Sequence, residues 1–178
     1  MTARSLPTLE LATADEAEAI ATLRTAVAAD LTRRHGLGHW SAQVSDAGVR
    51  RSLQSSRVYV ARQDGRVVGT LRLATKKPWA IDPARFTPVA RPLYLTDMAV
   101  AVTGQRQGIG RRCLEDAVEI ARQWPADAIR LDAYDAAAGA GAFYAKCGYR
   151  EMGRASYRGV PLLYFELLIR AGTETSWQ

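Results

Sequence analysis

Gln105-Arg106-Gln107-Gly108-Ile109-Gly110 joins an apolar, strand-like run to an amphipathic helical pattern and sets two glycines at the junction. The first backbone N–H groups of a helix lack partners inside it and lie at the positive end of its dipole. Such a junction therefore binds an anion without requiring a particular side chain, and glycine lets that anion approach the backbone closely. The spacing narrows the ligand. A P-loop needs lysine and then Ser/Thr after its last glycine, but Arg111, Arg112 and Cys113 follow Gly110, which argues against a nucleoside triphosphatase. A dinucleotide fold needs a third glycine three residues after the second, and that position is Cys113.

Working outward, Leu93 to Val100 reads as a buried strand. Gly108 to Gln123 reads as a helix facing inward through Ile109, Cys113, Ala117, Ile120 and Ala121, and Ile129 to Tyr134 as the next strand, which makes one strand-helix-strand crossover. Upstream, two β-branched runs, Arg57 to Gln63 and Arg66 to Ala74, flank Asp64-Gly65, a strong signal for a tight hairpin. Thr13-Ala14-Asp15-Glu16 has the form of a capping box, and Ile20, Leu23, Val27 and Leu31 follow at helical spacing, predicting a helix from about Ala14 to Arg33. A shorter helix is expected from Asp46 to Gln54. Downstream come a short helix from Gly139 to Lys146 and strands Tyr149 to Tyr157 and Val160 to Ile169 around Arg158-Gly159, with a frayed tail over 173–178. Thr75 to Arg91, with Pro78, Pro83 and Pro88, is too proline-rich for a strand and is expected to be a loop bordering the site. The pattern is α/β (α+β), a mixed sheet with helices on both faces in a single domain spanning 1–178.

Charge and composition bound the function. A formal net charge of +6 over 178 residues suits a polyanionic ligand, yet the Lys and Arg are dispersed with no five-residue basic block, so no dedicated nucleic-acid binding is expected. No apolar run approaches the roughly 20 residues of a membrane span, and the first residues lack the apolar core of a signal peptide, which predicts a cytoplasmic protein without membrane attachment. Cys113 and Cys147 read as reduced, buried thiols. His35 and His39 are four apart, but Gly36 and Gly38 break the helix that would align them, so no metal is expected. These histidines and Trp40 are read as lining an acceptor pocket or packing, and Trp79, Tyr94 and Tyr134 are read in the same way.

The segment from Met98 through Ala99, Val100 and on to Gly110 closely resembles the acetyl-CoA-binding segment of the GCN5-related N-acetyltransferases (GNAT family), Gln/Arg-x-x-Gly-x-Gly/Ala after a strand. Ala140-Gly141-Ala142-Phe143-Tyr144-Ala145-Lys146-Cys147-Gly148-Tyr149 resembles a second family block, Ala-x-x-x-Tyr-x-Lys-x-Gly-Phe/Tyr, and the order of elements agrees from about Arg57 to Ile169. The resemblance implies the GNAT fold, a mostly antiparallel twisted sheet splayed at its central parallel strand pair, with an acetyl-CoA-binding core over about 93–149. It implies that the pantetheine arm bonds the backbone near Met98, Ala99 and Val100. The pyrophosphate would sit on Gln105, Arg106, Gln107, Gly108, Ile109 and Gly110, with Arg111 and Phe143 completing the donor site. Tyr144 would be the acid that assists the departing thiolate. Asp97 and Glu166 are candidate bases, and a water relay is the alternative. Segments 35–45 and 75–91 are expected to shape the acceptor site. Val102 stands where the family often has proline, Gln105 where Arg is commoner, and Ala137 where many members carry an Asn toward the pantetheine, a role Asp135 could take. The implied activity is acetyl transfer from acetyl-CoA to a primary amine of a small molecule or peptide, by direct attack in a ternary complex without metal. The alternative is a non-catalytic acyl-CoA sensor, and a homodimer through the last strands stays open.

Overall fold

Asp64 and Gly65 both take positive φ, 52° and 73°, the turn geometry that matches strand twist and favours Asp-Gly. They join β2 (Arg57–Gln63) to β3 (Arg66–Ala74), the bounds expected from sequence. Arg158 and Gly159, at φ 51° and 79°, do the same between β6 (Arg150–Tyr157) and β7 (Val160–Leu168). The computed structural model describes residues 5–169, so the tail at 173–178 lies outside the described residues. With β1 (Leu9–Leu11), β4 (Pro92–Val100) and β5 (Ala128–Tyr134), the strands form one seven-stranded sheet in the order β1-β2-β3-β4-β5-β7-β6. Every described pairing is antiparallel except β4 with β5, which is parallel.

Each strand alternates its side chains between two helical layers. Leu71 and Leu73 of β3, Leu93 and Leu95 of β4, Ile129 and Leu131 of β5 and Phe165 of β7 pack beneath α3 (Ile109–Gln123) and α4 (Gly141–Lys146). Val58 and Val60 of β2 face the other way, onto α1 (Ala17–His35) and α2 (Asp46–Ser55). Ser45 caps α2 by accepting from the Gly48 N–H at 3.1 Å, the side-chain capture that makes serine a good N-cap. Residues 75–91 lie on this second face too, where Ile81 and Phe86 pack on Tyr94, Leu162 and Tyr164.

Two departures from regular pairing create the site. The parallel ladder joins only Pro92, Leu93 and Tyr94 to Ala128, Ile129 and Arg130. Beyond it β4 runs on to Val100 and β5 to Tyr134 without pairing to each other, and the sheet opens between them. On its other side β4 pairs Thr96 with Arg72 but Ala99 with Thr70, so Asp97 and Met98 together oppose Leu71 in a β-bulge. Asp97 carries the strain, at φ 57°. The extra residue reverses the facing of everything after it. Thr96 and Asp97 both reach Arg72, at 2.8 Å and 3.1 Å, and Asp97 also meets Arg24 of α1, whereas Met98 and Val100 turn to the core under α3 and α4.

Candidate active site

The splay carries two adjoining cavities that share Met98 and Ala99 of β4 and Val27 and Leu31 of α1. The first, of about 470 Å³, takes Met98, Ala99 and Val100 from β4, Gln105, Arg106, Gly108, Gly110 and Arg111 from the following turn and α3, and Phe143 and Tyr144 from α4. Arg106 and Gly108 adopt φ of 61° and 87°, and no side chain caps α3 at Gly108. Its first N–H groups and dipole are therefore left available to an anion, with Arg106 and Arg111 beside them. A side chain at Gly110 would place its Cβ 3.1 Å from Phe143 Cζ, so glycine lets the helix start seat against that ring. Gln105 Nε2 donates to the Val100 carbonyl at 3.2 Å, which occupies one of the strand groups at the splay.

Two residues expected in the donor site lie outside this lining. Ile109 is buried among core side chains beneath α3, and Gln107 Nε2 donates back to the Thr103 carbonyl at 2.7 Å, tying the turn to itself. Residues 137–140 form the opposite rim with small side chains, Ala137 among them. Asp135 turns elsewhere, to Arg154 at 3.1 Å. Within the rim, a Cβ on Gly139 would stand 1.9 Å from the Tyr134 carbonyl oxygen, so only glycine fits the turn that follows β5.

Tyr144 is 7% exposed and its hydroxyl donates to Met98 Sδ at 3.7 Å, across the splay from α4 to β4. Burial first, then the charge of Asp132, pushes its phenol above the ordinary range. It stays protonated as a donor throughout the neutral range.

The second cavity, of about 530 Å³, lies between the sheet and the α1–α2 layer and shares Val27, Leu31, Met98 and Ala99 with the first. Asp97 lines it with both carboxylate oxygens engaged: Arg24 Nη2 meets Oδ1 at 2.7 Å and Arg72 Nε meets Oδ2 at 3.1 Å. His39 and Trp40 close it from the segment after α1. Tyr134 anchors them, its hydroxyl donating to the His39 carbonyl at 3.1 Å and its ring meeting Trp40 edge-on at 6.0 Å. His35 lines the first cavity instead.

Three residues that sequence reasoning missed belong to this region. Arg24 and Arg72 give no signal until α1 and the bulge bring them to Asp97. Asp132 does give one, a carboxylate in the apolar strand Ile129-Arg130-Leu131-Asp132. It shares a strand face with Tyr134, and its carboxylate makes no ion pair with any described residue. Burial, opposed by a backbone hydrogen bond and reinforced by the charge of Asp97, raises it above the ordinary carboxylate range.

Glu166 and residues 75–91 lie away from both cavities. Glu166 stands opposite Arg130 in the β5–β7 register, at the closed end of the splay, and pairs with Arg130 at 3.1 Å with both side chains almost wholly buried. It also accepts from the Thr87 N–H at 3.4 Å. No residue of 75–91 lines either cavity: its proline-rich chain covers the sheet over β7 and projects Trp79 into solvent, 82% exposed. Cys113 and Cys147 are free thiols, the first buried and the second only half-buried, and burial pushes Cys113 up to about 11 and raises Cys147 as well. No helix among the described residues is long and apolar enough to cross a membrane.

The family model described as Acetyltransferase (GNAT) family matches residues 24–149. Among solved structures, an N-acetyltransferase from Staphylococcus aureus Mu50 superposes with a TM-score of 0.69 at 14% identity, covering 93% of this chain and 100% of that one. The ribosomal-protein-alanine N-acetyltransferase from Brucella melitensis gives 0.67 at 20% identity over 90% of this chain and 98% of that one. The yncA protein from Salmonella typhimurium, solved with its cofactor acetyl-CoA, gives 0.66 at 15% over 95% and 97%. At these identities the structural likeness concerns the fold. A search among curated proteins returned no match to the sequence.

Proposed function

The chain belongs to the acetyltransferase (GNAT) family, and on that footing we propose that it moves the acetyl group of acetyl-CoA to a primary amine of a small molecule or peptide, by direct attack in a ternary complex. The observation that carries this reading is the meeting of two cavities at Met98 and Ala99, one floored by an uncapped helix start and the other entered from α1. The donor fits the first. A pyrophosphate matches the α3 N-terminus with Arg106 and Arg111, and an amide-bearing arm matches strand groups that the sheet leaves without a β5 partner. The family pattern assigns those contacts to Met98, Ala99, Val100 and the run from Gln105 to Arg111, with Phe143 beneath.

Proton handling follows from the two carboxylates and the phenol. Asp97 has both oxygens committed to guanidinium groups, so in our reading it positions Arg24 and Arg72, and the acceptor's ammonium proton goes to Asp132, directly or through water. The freed nitrogen bonds to the thioester carbonyl carbon as the carbon–sulfur bond breaks, and the nitrogen's second proton balances the thiol formed. Tyr144 serves as a hydrogen-bond donor to the departing sulfur. Moving a proton from a phenol near 10 to a thiolate near 8.5 costs about 2 kcal/mol before any burial is counted, and burial raises that cost. A cytoplasmic setting, where acetyl-CoA and reduced thiols coexist, completes the proposal.

The test measures free CoA thiol released over a panel of amines, with acetyl-CoA binding followed separately by calorimetry. Turnover with an amine supports the transferase. Tight binding with no turnover on any amine overturns it in favour of a sensor.

A further inference from the structure

We propose that the acceptor is a zwitterion, a free amino acid or an amine with an equivalent nearby anionic group, whose anion is held by Arg24 and Arg72. This rests on the acetyltransferase reading above and names its substrate class. The argument begins with the charge of the second cavity. Arg24, Arg72 and Asp97 all line it, so two guanidinium groups face one carboxylate. Each arginine has five N–H donors in a fixed fork. Arg24 meets Asp97 through Nη2, and Arg72 uses Nε for both Asp97 and Thr96. No bond to a described residue engages Arg24 Nη1 or either terminal nitrogen of Arg72. Their side chains remain 22% and 27% exposed, on a cavity wall rather than sealed in the core.

A pair of partly free forks is suited to a carboxylate or a tetrahedral oxyanion, which guanidinium groups bind in bidentate fashion. Asp97 does not cancel the pair; it holds the two cations beside each other against their mutual repulsion and leaves one net positive charge. Besides Arg24, Arg72, Asp97 and the imidazole of His39, the cavity's polar lining comes from Gln43, Ser45 and Ser52, which carry no charge. A polycationic acceptor would meet that positive charge with no free carboxylate on the wall to offset it. Tyr134 of β5 lines this space, Asp132 precedes it by two residues on the same strand face without itself being part of the lining, and Asp97 acts electrostatically on Asp132. An acceptor with its ammonium toward Asp132 and its anion on Arg24 and Arg72 would then satisfy both charges within one small molecule. Val27, Leu31, Trp40 and Tyr134 leave an apolar and aromatic wall for the remainder.

The experiment compares free amino acids, their carboxamides and linear polyamines in the CoA-release assay, for the wild type and for Arg24→Gln. A hydrogen-bonded charge pair of this kind is expected to give the free acid about a 10- to 100-fold advantage in kcat/KM over its amide. In Arg24→Gln that advantage should shrink through KM for the acid, while acetyl-CoA binding by calorimetry reports a folded donor site. Amides or polyamines turned over as well as the acids would overturn this inference and leave the acetyltransferase standing. So would an acid preference that survives both Arg24→Gln and Arg72→Gln. Acetyl-CoA binding without turnover on any amine would remove the transferase reading and this inference with it.

Discussion

Replacing Glu166 with alanine tests whether the geometry has sorted the carboxylates correctly, because sequence alone made Glu166 a candidate base. In the structure it is 2% exposed and answers Arg130, itself 3% exposed. Removing it leaves a guanidinium whose remaining hydrogen bonds are to the Thr87 carbonyl, at 2.5 Å, and whose charge is uncompensated in the sheet. It also takes the acceptor from the Thr87 N–H, and so loosens the segment pinned over β7. Breaking one side of a buried pair costs about 3–5 kcal/mol. For a domain of this size, roughly 2–4 °C per kcal/mol, the melting temperature should fall by about 6–20 °C. The double variant Arg130→Met with Glu166→Leu, which removes both charges, should recover much of that loss. Thermal and urea unfolding measure the stability, and CoA release at 25 °C measures kcat on the folded fraction, which should stay within about twofold. A melting temperature equal to wild type together with a hundredfold loss of kcat would refute the placement of Glu166 outside the chemistry.

Asp132→Asn should move activity and stability in opposite directions. The Asp132 carboxyl is raised in the fold, so the folded state binds more protons than the unfolded chain between the ordinary aspartate range and the raised value. Its burial penalty therefore grows as pH rises through that window and is complete above it. The asparagine should melt higher at neutral pH while kcat/KM drops by about 10²–10⁴-fold, and the wild-type acid limb should sit above the usual carboxylate range; unchanged activity would remove Asp132 as proton acceptor. Tyr144→Phe removes a hydrogen-bond donor to developing negative charge and should lower kcat by about a hundredfold with the circular dichroism and acetyl-CoA affinity retained, and full turnover with saturating substrates would end its role at the sulfur. Gly139→Ala has no room for its methyl, 1.9 Å from the Tyr134 carbonyl, so the turn must shift. A loss of about 2 kcal/mol or more and a weaker acetyl-CoA KM are expected, and a variant identical to wild type in both would contradict the packing at that turn.

The features legible in the sequence were those set by neighbours in the chain. Asp64-Gly65 fixes its hairpin locally, so both flanking strands end where expected. The Gln105 to Gly110 junction marks its own helix start within a residue. Leu9–Leu11 was not legible, since three residues give no period and this edge strand exists only through its pairing with β2. Glu166 was misplaced for a different reason. Its position along β7 says nothing about which end of a splay it faces until the register sets it against Arg130, where the parallel ladder is still closed. Asp132 is two residues further along the same β5 strand, past the end of that ladder, and those two residues separate a structural salt bridge from a carboxylate with no ion-pair partner among the described residues.

The bulge at Asp97 explains how one strand borders two cavities of different character. A regular β4 would put Met98 and Val100 on the face of Thr96 and turn Asp97 into the core under α3, where its charge would be buried beside Leu95. One inserted residue reverses both, so the strand presents its carboxylate to Arg24 and Arg72 on one face and Met98 to Tyr144 on the other. Positive φ at a non-glycine residue costs of order 1–3 kcal/mol and persists only where its surroundings enforce it. Here two guanidinium groups grip the strained residue from separate elements, α1 and β3. Arg24 comes from the helix that walls the second cavity, and its contact with Asp97 ties that wall to the strand that borders the first. The backbone of the strand that borders the first cavity and the charge lining the second thus meet in a single residue.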